Sequence, residues 1–433
     1  MLLNNLEKVK YNYTQLLGSG VGLSTPFIVS ASKNLSNINL FIHQLSIPDY
    51  HKVMFNNQNS SSYHIAGYGQ SCEETLTRTL GETVERYSFM SSYYLLKDRI
   101  ISDTYNNLKK NNLVLSLDLI NVVNTSDQYF KKLEENTECD WILVHNFLRQ
   151  EDMYIPFCMV GSKRSLCTPI PSMSTGTATH ITEKKALINA LSEAYQLDAF
   201  MHAWYGNKKL KQVNLNNKFS SSFNSIINKT FKNKDDVEII VLENTFRDTK
   251  FKNFITIIKS KNGKYPYCSV GIQGGLNYEY AILRSIMEAT AIYVNLQGFY
   301  LYEFDNVNKI DLKYTSNSYN LDDPFIFWSN FNDLSLKEKK LNSIISDEII
   351  EFENSDSLSE DDELAELLKI AKNELSYLFI LDITPSELKK YGYSTIRIIA
   401  PELLPMCFPV LPYINHPNFP QGGDDELFPH PLP

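Results

Sequence analysis

The chain has no surplus of basic residues. Its 41 Lys and Arg stand against 50 Asp and Glu, a formal charge of −9. A protein that wraps a nucleic-acid backbone needs a basic face, so this balance argues against that class. No apolar run approaches the roughly 18 residues that cross a bilayer, and no membrane span is expected. The opening MLLNNLEKVK lacks the apolar centre of a signal peptide. Cysteine is sparse: Cys72, Cys139, Cys158, Cys167, Cys268 and Cys407 form no C-x-x-C pair. A zinc ribbon or a disulfide framework is therefore disfavoured, and a reducing cytoplasm is the expected location. There is no Walker lysine motif. The glycine-rich GSGVG (18–22) lacks the spacing and the distal acidic residue of a dinucleotide fingerprint.

Proline is scarce until the end, where nine of the 17 fall after residue 400. Such a tail cannot be helix or central strand, because proline fixes φ and has no N–H to donate. An extended, polyproline-like path is expected. The same segment holds Leu403, Leu404, Met406, Phe408, Leu411, Tyr413, Phe419, Leu427 and Phe428. That much apolar surface predicts a tail packed along the body.

An internal recurrence is the second feature. EETLTRTLGETVERYSF (73–89), EKKALINALSEAYQLDAF (183–200) and EYAILRSIMEATAIYVN (279–295) each read as an amphipathic helix with a central glutamate: Glu82, Glu193 and Glu288. Four residues earlier stand Arg78, Asn189 and Arg284, on the same helical face. Each helix follows a segment read as a Gly- or Thr-rich loop: GYGQS (67–71), STGTATH (174–180) and GIQGG (271–275). β-Rich runs, MYIPFCMVGS (153–162) and YPYCSVGIQ (265–273), precede two of them. Strand, tight loop and helix thus recur too far apart for a solenoid, and pseudo-symmetric packing around one site is expected. Residues 100–140 read as helix and loop. Residues 303–360, rich in Asn, Ser and Asp, read as a variable insertion. YLFILDIT (377–384) and TIRIIAPE (395–402) read as strands.

Glu82 and Glu85 are spaced i, i+3, as are Glu193 and Gln196 in an otherwise apolar stretch. A buried polar pair needs partners. Inward carboxylates without zinc-type ligands suit a hard cation such as Mg²⁺, which often accompanies a nucleotide. Arg284 is placed to neutralise phosphate charge, and glycines would let backbone donors approach phosphates. His180 and Cys72 lie at the second and first loops, but neither has a visible catalytic partner. From the carboxylates alone, a metal-dependent hydrolase stays open.

Taken together, GYGQSCEETLTRTLGETVERYS (67–88), STGTATHITEKKALINALSEAYQLDAF (174–200), GIQGGLNYEYAILRSIMEA (271–289) and LDITPSELKKYGYSTIRIIAPELLP (381–405) resemble the YcaO family of ATP-dependent peptide-backbone-modifying enzymes. The resemblance runs from about residue 60 to the end. The chain ends P-x-P-x-P, Pro429 to Pro433, an ending that in this family marks azoline-forming cyclodehydratases. The STGTA…QLDAF segment looks most like the cyclodehydratase component of streptolysin S-type clusters.

The resemblance implies an α+β fold with three pseudo-repeated strand–loop–helix units around one nucleotide site. It implies an N-terminal segment (1–60) packed on a catalytic domain (61–433), with residues 401–433 reaching the active site. A Cys, Ser or Thr side chain of a ribosomally made precursor peptide would attack the preceding carbonyl. ATP would phosphorylate the amide oxygen, and its loss as phosphate would leave a thiazoline or oxazoline. By motif match, Glu82, Glu85, Glu193 and Gln196 would hold Mg²⁺. Arg86, Ser174, Thr175 and Arg284 would join them around ATP. Glu193, Arg284 and the Pro433 carboxylate would serve catalysis.

Three positions depart from the pattern. Gln196 stands where many members have Glu, Lys185 where they have an acidic residue, and Leu197 where the first unit has Arg86. These departures keep a non-catalytic docking subunit in view, as they do another YcaO reaction such as thioamide or amidine formation. No fused leader-binding domain is expected. The resemblance implies a separate leader-binding partner related to ubiquitin-activating enzymes, an FMN-dependent dehydrogenase acting next, and a homodimer within a larger complex.

Overall fold

The computed structural model describes residues 12, 15–17, 23, 38–47, 63–123, 129–162, 168–215, 219–232, 236–245, 249–261, 263–352, 358–420 and 427–432. GSGVG (18–22) and Pro433 lie outside the described residues. The architecture is α+β, with helices laid against three sheets.

The first sheet is a hairpin-like pair, β1 (Phe41–Ile47) antiparallel to β2 (Tyr63–Gly69). Helix α1 (Cys72–Leu96) follows directly; Ser71 caps it by accepting the Glu74 N–H. The second sheet runs β3 (Ile100–Thr104), β4 (Glu138–Asn146), β12 (Phe379–Asp382), β13 (Ser394–Ile399), β6 (Thr177–His180), with β5 (Glu151–Pro156) also paired to β4. Helix α2 (Glu183–Tyr205) leaves the β6 edge under a Thr182 cap. The third sheet runs β10 (Cys268–Gly275), β9 (Lys252–Ser260), β8 (Val237–Glu243), β7 (Leu210–Val213), β11 (Ile345–Ile350). Helix α3 (Ser221–Thr230) links β7 to β8, and α4 (Tyr278–Val307) follows β10.

Each of β2, β6 and β10 is the last strand of its sheet, and each feeds one long helix. The segments expected to be loops are therefore largely strand: GYGQS begins inside β2, STGTATH contains β6, and GIQGG lies within β10. Close packing is the reason. A Cβ at Gly67 would stand 2.2 Å from Thr75 O and Thr79 Oγ1 of α1, and one at Gly271 would stand 2.3 Å from Ala289 N of α4. These glycines let a strand lie against the helix it feeds. Residues 100–140 likewise contain strand β3 and the start of β4, besides short helical turns.

Residues 303–360 are regular over most of their described length. They include the end of α4, a turn at Leu312–Ser316, α5 (Asp322–Ser329), α6 (Leu334–Ile344) and β11, which pairs parallel with β7. Helix α7 (Glu360–Glu374) then packs on α2. The tail lies on the body: Leu403, Leu404, Cys407, Leu411, Tyr413, Phe419 and Leu432 are buried. Leu16 and Leu17 join Leu45, Ile65, Leu80 and Val84 in a small cluster beneath α1. Among the described residues no helix is long and apolar enough to cross a membrane.

Candidate functional site

One contact occurs three times. The Ala66 N–H donates to Glu82 Oε2 at 3.2 Å, the Gly176 N–H to Glu193 Oε2 at 3.3 Å, and the Ile272 N–H to Glu288 Oε2 at 2.7 Å. Each donor lies in, or directly before, the strand that feeds the glutamate's own helix. The three carboxyls and Glu85 share one region, and burial perturbs all of them. Glu82 is raised mainly by burial, which Arg86 and the Ala66 N–H oppose. Glu85 is held well above the ordinary carboxylate range by burial and by repulsion from Glu193 and Glu82. Burial pushes Glu193 up to about 7 against Arg86 and Arg397. It pushes Glu288 up to about 7 against the Ile272 N–H and Arg284.

The cationic side chains form a frame. Arg86 reaches Ser174 Oγ, and its guanidinium lies 3.4 Å from Glu82 and 3.8 Å from Glu85. Arg284 donates to the Tyr68 hydroxyl at 2.7 Å and lies over the Tyr68 ring at 4.7 Å. Arg78 lies over the same ring at 5.4 Å and is paired with Glu74 at 2.7 Å. Burial raises Tyr68 to about 12, so its phenol stays protonated between two guanidiniums.

Arg397 on β13 was absent from the sequence-derived set. Only 5% exposed, it donates to Thr175 O, to Thr177 Oγ1 at 3.0 Å and to Met159 O at 2.7 Å. Burial lowers its guanidinium to about 10, while Glu193 and Glu85 raise it. The signal was a lone charge in the apolar strand TIRII (395–399). Glu288 was legible as a helix midpoint but was not placed among the site residues. Thr175 is a junction: its carbonyl serves Arg397, and its Oγ1 accepts the Met406 N–H at 3.4 Å.

Two departures from the family pattern have local accounts. Lys185 points to α7 and pairs with Glu363 at 2.8 Å. Gln196 holds the β10 edge: Nε2 donates to Ile272 O at 3.3 Å, and Oε1 accepts from Gly274 N at 3.0 Å and Gln273 Nε2 at 3.3 Å. A glutamate could not make the donor half of that bridge. Cys72 is exposed, and His180 contacts Thr182.

The donor set suits a hard divalent cation. It is oxygen-only, anionic and desolvated, and its carboxyls repel one another. Among the described residues, no three His, Cys, Asp or Glu side chains converge as a ready-made metal shell. A cation held here would draw further ligands from phosphate and water, the usual habit of Mg²⁺.

A family model described as YcaO cyclodehydratase, ATP- and Mg²⁺-binding, matches residues 66–404. The chain belongs to the YcaO family. Solved YcaO-type structures agree in fold. A heterocyclase in complex with substrate and cofactor has a TM-score of 0.70 at 15% identity, over 93% of this chain. The chain spans about half, 52%, of that protein's length. YcaO from Methanopyrus kandleri, bound with AMPPCP and Mg²⁺, has a TM-score of 0.63 at 12% identity, covering 93% of this chain and 91% of its own. The E. coli microcin synthetase McbBCD complex gives 0.57 at 13% identity over 88% and 87%. No curated protein matches the chain. ATP and Mg²⁺, expected from the sequence, are thus the ligands of the family to which it belongs.

Proposed function

We propose that this chain is an ATP-dependent cyclodehydratase that forms thiazoline or oxazoline rings in a ribosomally made precursor peptide rich in Cys, Ser and Thr. The observation that carries the reading is that Glu82, Glu85, Glu193 and Glu288 lie near enough to feel one another's charge, beside Arg86, Arg284 and Arg397, in a YcaO chain. The P-x-P-x-P motif at Pro429–Pro433 supports azoline formation over thioamide or amidine formation. The streptolysin S-type assignment rests on the STGTA…QLDAF segment.

In this reading Glu82, Glu85 and Glu193 hold Mg²⁺, which when bound supplies charge neutralisation for the phosphates of ATP. Arg86, Ser174 and Thr175 line the nucleotide site, and Arg284 leaves Tyr68 to meet phosphate. Gln196 fixes the end of β10 and so acts by positioning rather than as a metal ligand. The peptide's side-chain sulfur or oxygen bonds to the preceding carbonyl carbon. The side chain gives up its S–H or O–H proton, the former amide oxygen takes the terminal phosphoryl group of ATP and releases ADP, and it then departs as phosphate while the amide nitrogen loses its proton, leaving the C=N bond of the ring. An amide oxygen is a poor leaving group, and the phosphoryl group makes it a good one. The protein's share is alignment and charge neutralisation.

One neighbour is the McbBCD microcin synthetase with pro-MccB17 bound. By analogy the chain would work in a complex, as a homodimer, with a leader-binding partner related to ubiquitin-activating enzymes and an FMN-dependent dehydrogenase. The test is phosphate release from Mg²⁺–ATP by the chain with its partner, with and without a Cys-rich precursor, while peptide mass is followed. Phosphate release coupled to loss of one water per ring is expected. Turnover without that mass loss would point to another backbone modification. No turnover with the precursor still bound would replace catalysis with docking.

A further inference from the structure

A proline-rich strand has carbonyls but few N–H groups, so its acceptors need donors from elsewhere. The tail obtains them from two tryptophans. Trp204 Nε1 on α2 donates to Phe428 O at 2.9 Å, and Trp328 Nε1 on α5 donates to Pro429 O at 2.9 Å. The two indoles meet edge to face at 5.3 Å, and the Phe428 ring lies 5.4 Å from Trp328. One residue on, His430 is wholly buried, with Nε2 2.8 Å from Cys407 O; a carbonyl only accepts, so Nε2 carries the proton.

The clamp is itself braced. Lys337 of α6, wholly buried, donates to the carbonyls of Phe327 and Asn330 at the end of α5, at 2.5 and 2.9 Å. Lys340, one turn on, donates to Trp204 O at 2.5 Å and lies 5.0 Å over the indole. The Asn-, Ser- and Asp-rich stretch thus supplies both a donor and its support.

We propose that Trp204 and Trp328 form a polyproline-reading clamp, in which aromatic N–H donors fix consecutive carbonyls of the chain's own tail and so set the path of the residues that follow. Aromatic grooves read Pro-rich ligands in the same way between molecules. The two are positioning residues for the proposed reaction, and this role rests on that reading.

The test compares Trp328→Phe and Trp204→Phe in the full chain and in a chain lacking Leu432 and Pro433. Phenylalanine keeps the aromatic packing and removes the donor. Ring formation should fall about tenfold in the full chain, one net hydrogen bond's worth. The KM for ATP and the circular dichroism should not change. In the shortened chain the same substitutions should cost under about twofold, because the residues the clamp positions are gone. An equal fall in both backgrounds, or none in the full chain, overturns the clamp. An independent readout needs no activity: hydrogen exchange at the His430 and Leu432 amides should quicken about tenfold in Trp328→Phe. Unchanged exchange overturns the clamp whatever the kinetics show. If the wild-type chain makes no rings while exchange quickens, the functional reading fails and the clamp stands.

Discussion

Glu288 offers a direct test of the charge arrangement. Burial raises its carboxyl from 4.5 to about 7, so the native state holds a proton that the unfolded chain has released. A rise of that size corresponds to about 3.4 kcal/mol for a fully enclosed group. Glu288 is only partly enclosed, so screening reduces this to about 1–2 kcal/mol. A carboxyl raised in the folded state leaves stability highest below its unfolded pKa. That stability is lost as pH rises through the folded value. The window therefore runs from about pH 4.5 to about 7. Glu288→Gln keeps an oxygen for the Ile272 N–H and removes the titration. In urea denaturation of the metal-free chain, the variant's advantage over wild type should grow by about 1–2 kcal/mol between the two ends of that window. Other titrating groups are common to both proteins and cancel in the difference. A difference that stays flat with pH would refute the account of the cluster as desolvated and mutually repelling.

Three further outcomes are expected. Glu82→Ala or Glu193→Ala should abolish ATP turnover measured by phosphate release, and full activity in either would remove these residues from the site. Arg397→Met should cost about 2–4 kcal/mol in chemical denaturation, because it strands three acceptors and removes the positive charge facing two half-buried carboxylates; a loss under about 1 kcal/mol would make Arg397 a peripheral residue. Lys185→Glu should cost about 1 kcal/mol by setting like charges together, and the double exchange with Glu363→Lys should recover most of it, measured as a double-mutant cycle.

What the sequence made legible was what local pattern encodes. The glutamate-centred helices, the strands within 377–384 and 395–402, and a tail apolar enough to pack all follow from spacing and composition. The glycine-rich segments misled because glycine has two uses. At Gly67 and Gly271 it admits a helix against a strand, and the period-two alternation that marks a strand is lost. Trp328 was hidden by its neighbours: a stretch rich in Asn and Ser reads as surface, yet Asn330 and Lys337 are spent inside on the carbonyls that end α5 and those before it. Long-range pairing was never accessible. β4 meets β12 only where Asn146 lies opposite Phe379, and β13 meets β6 across about half the chain.

Arg397 shows why such pairing matters for the chemistry. Its strand must lie beside β6 before the guanidinium can reach the Thr175 carbonyl. Once there, it supplies fixed positive charge toward Glu193 and Glu85, since a guanidinium lowered to about 10 is still protonated at neutral pH. Thr175 in turn accepts the Met406 N–H, from the first part of the proline-rich segment. The residue that balances the carboxylates and the segment that leads to the clamped tail thus meet on one threonine. A disturbance of the carboxylate cluster should therefore be felt at the tail. Hydrogen exchange at Met406 should slow when Mg²⁺ and ATP are added, and exchange that is indifferent to them would separate the two regions.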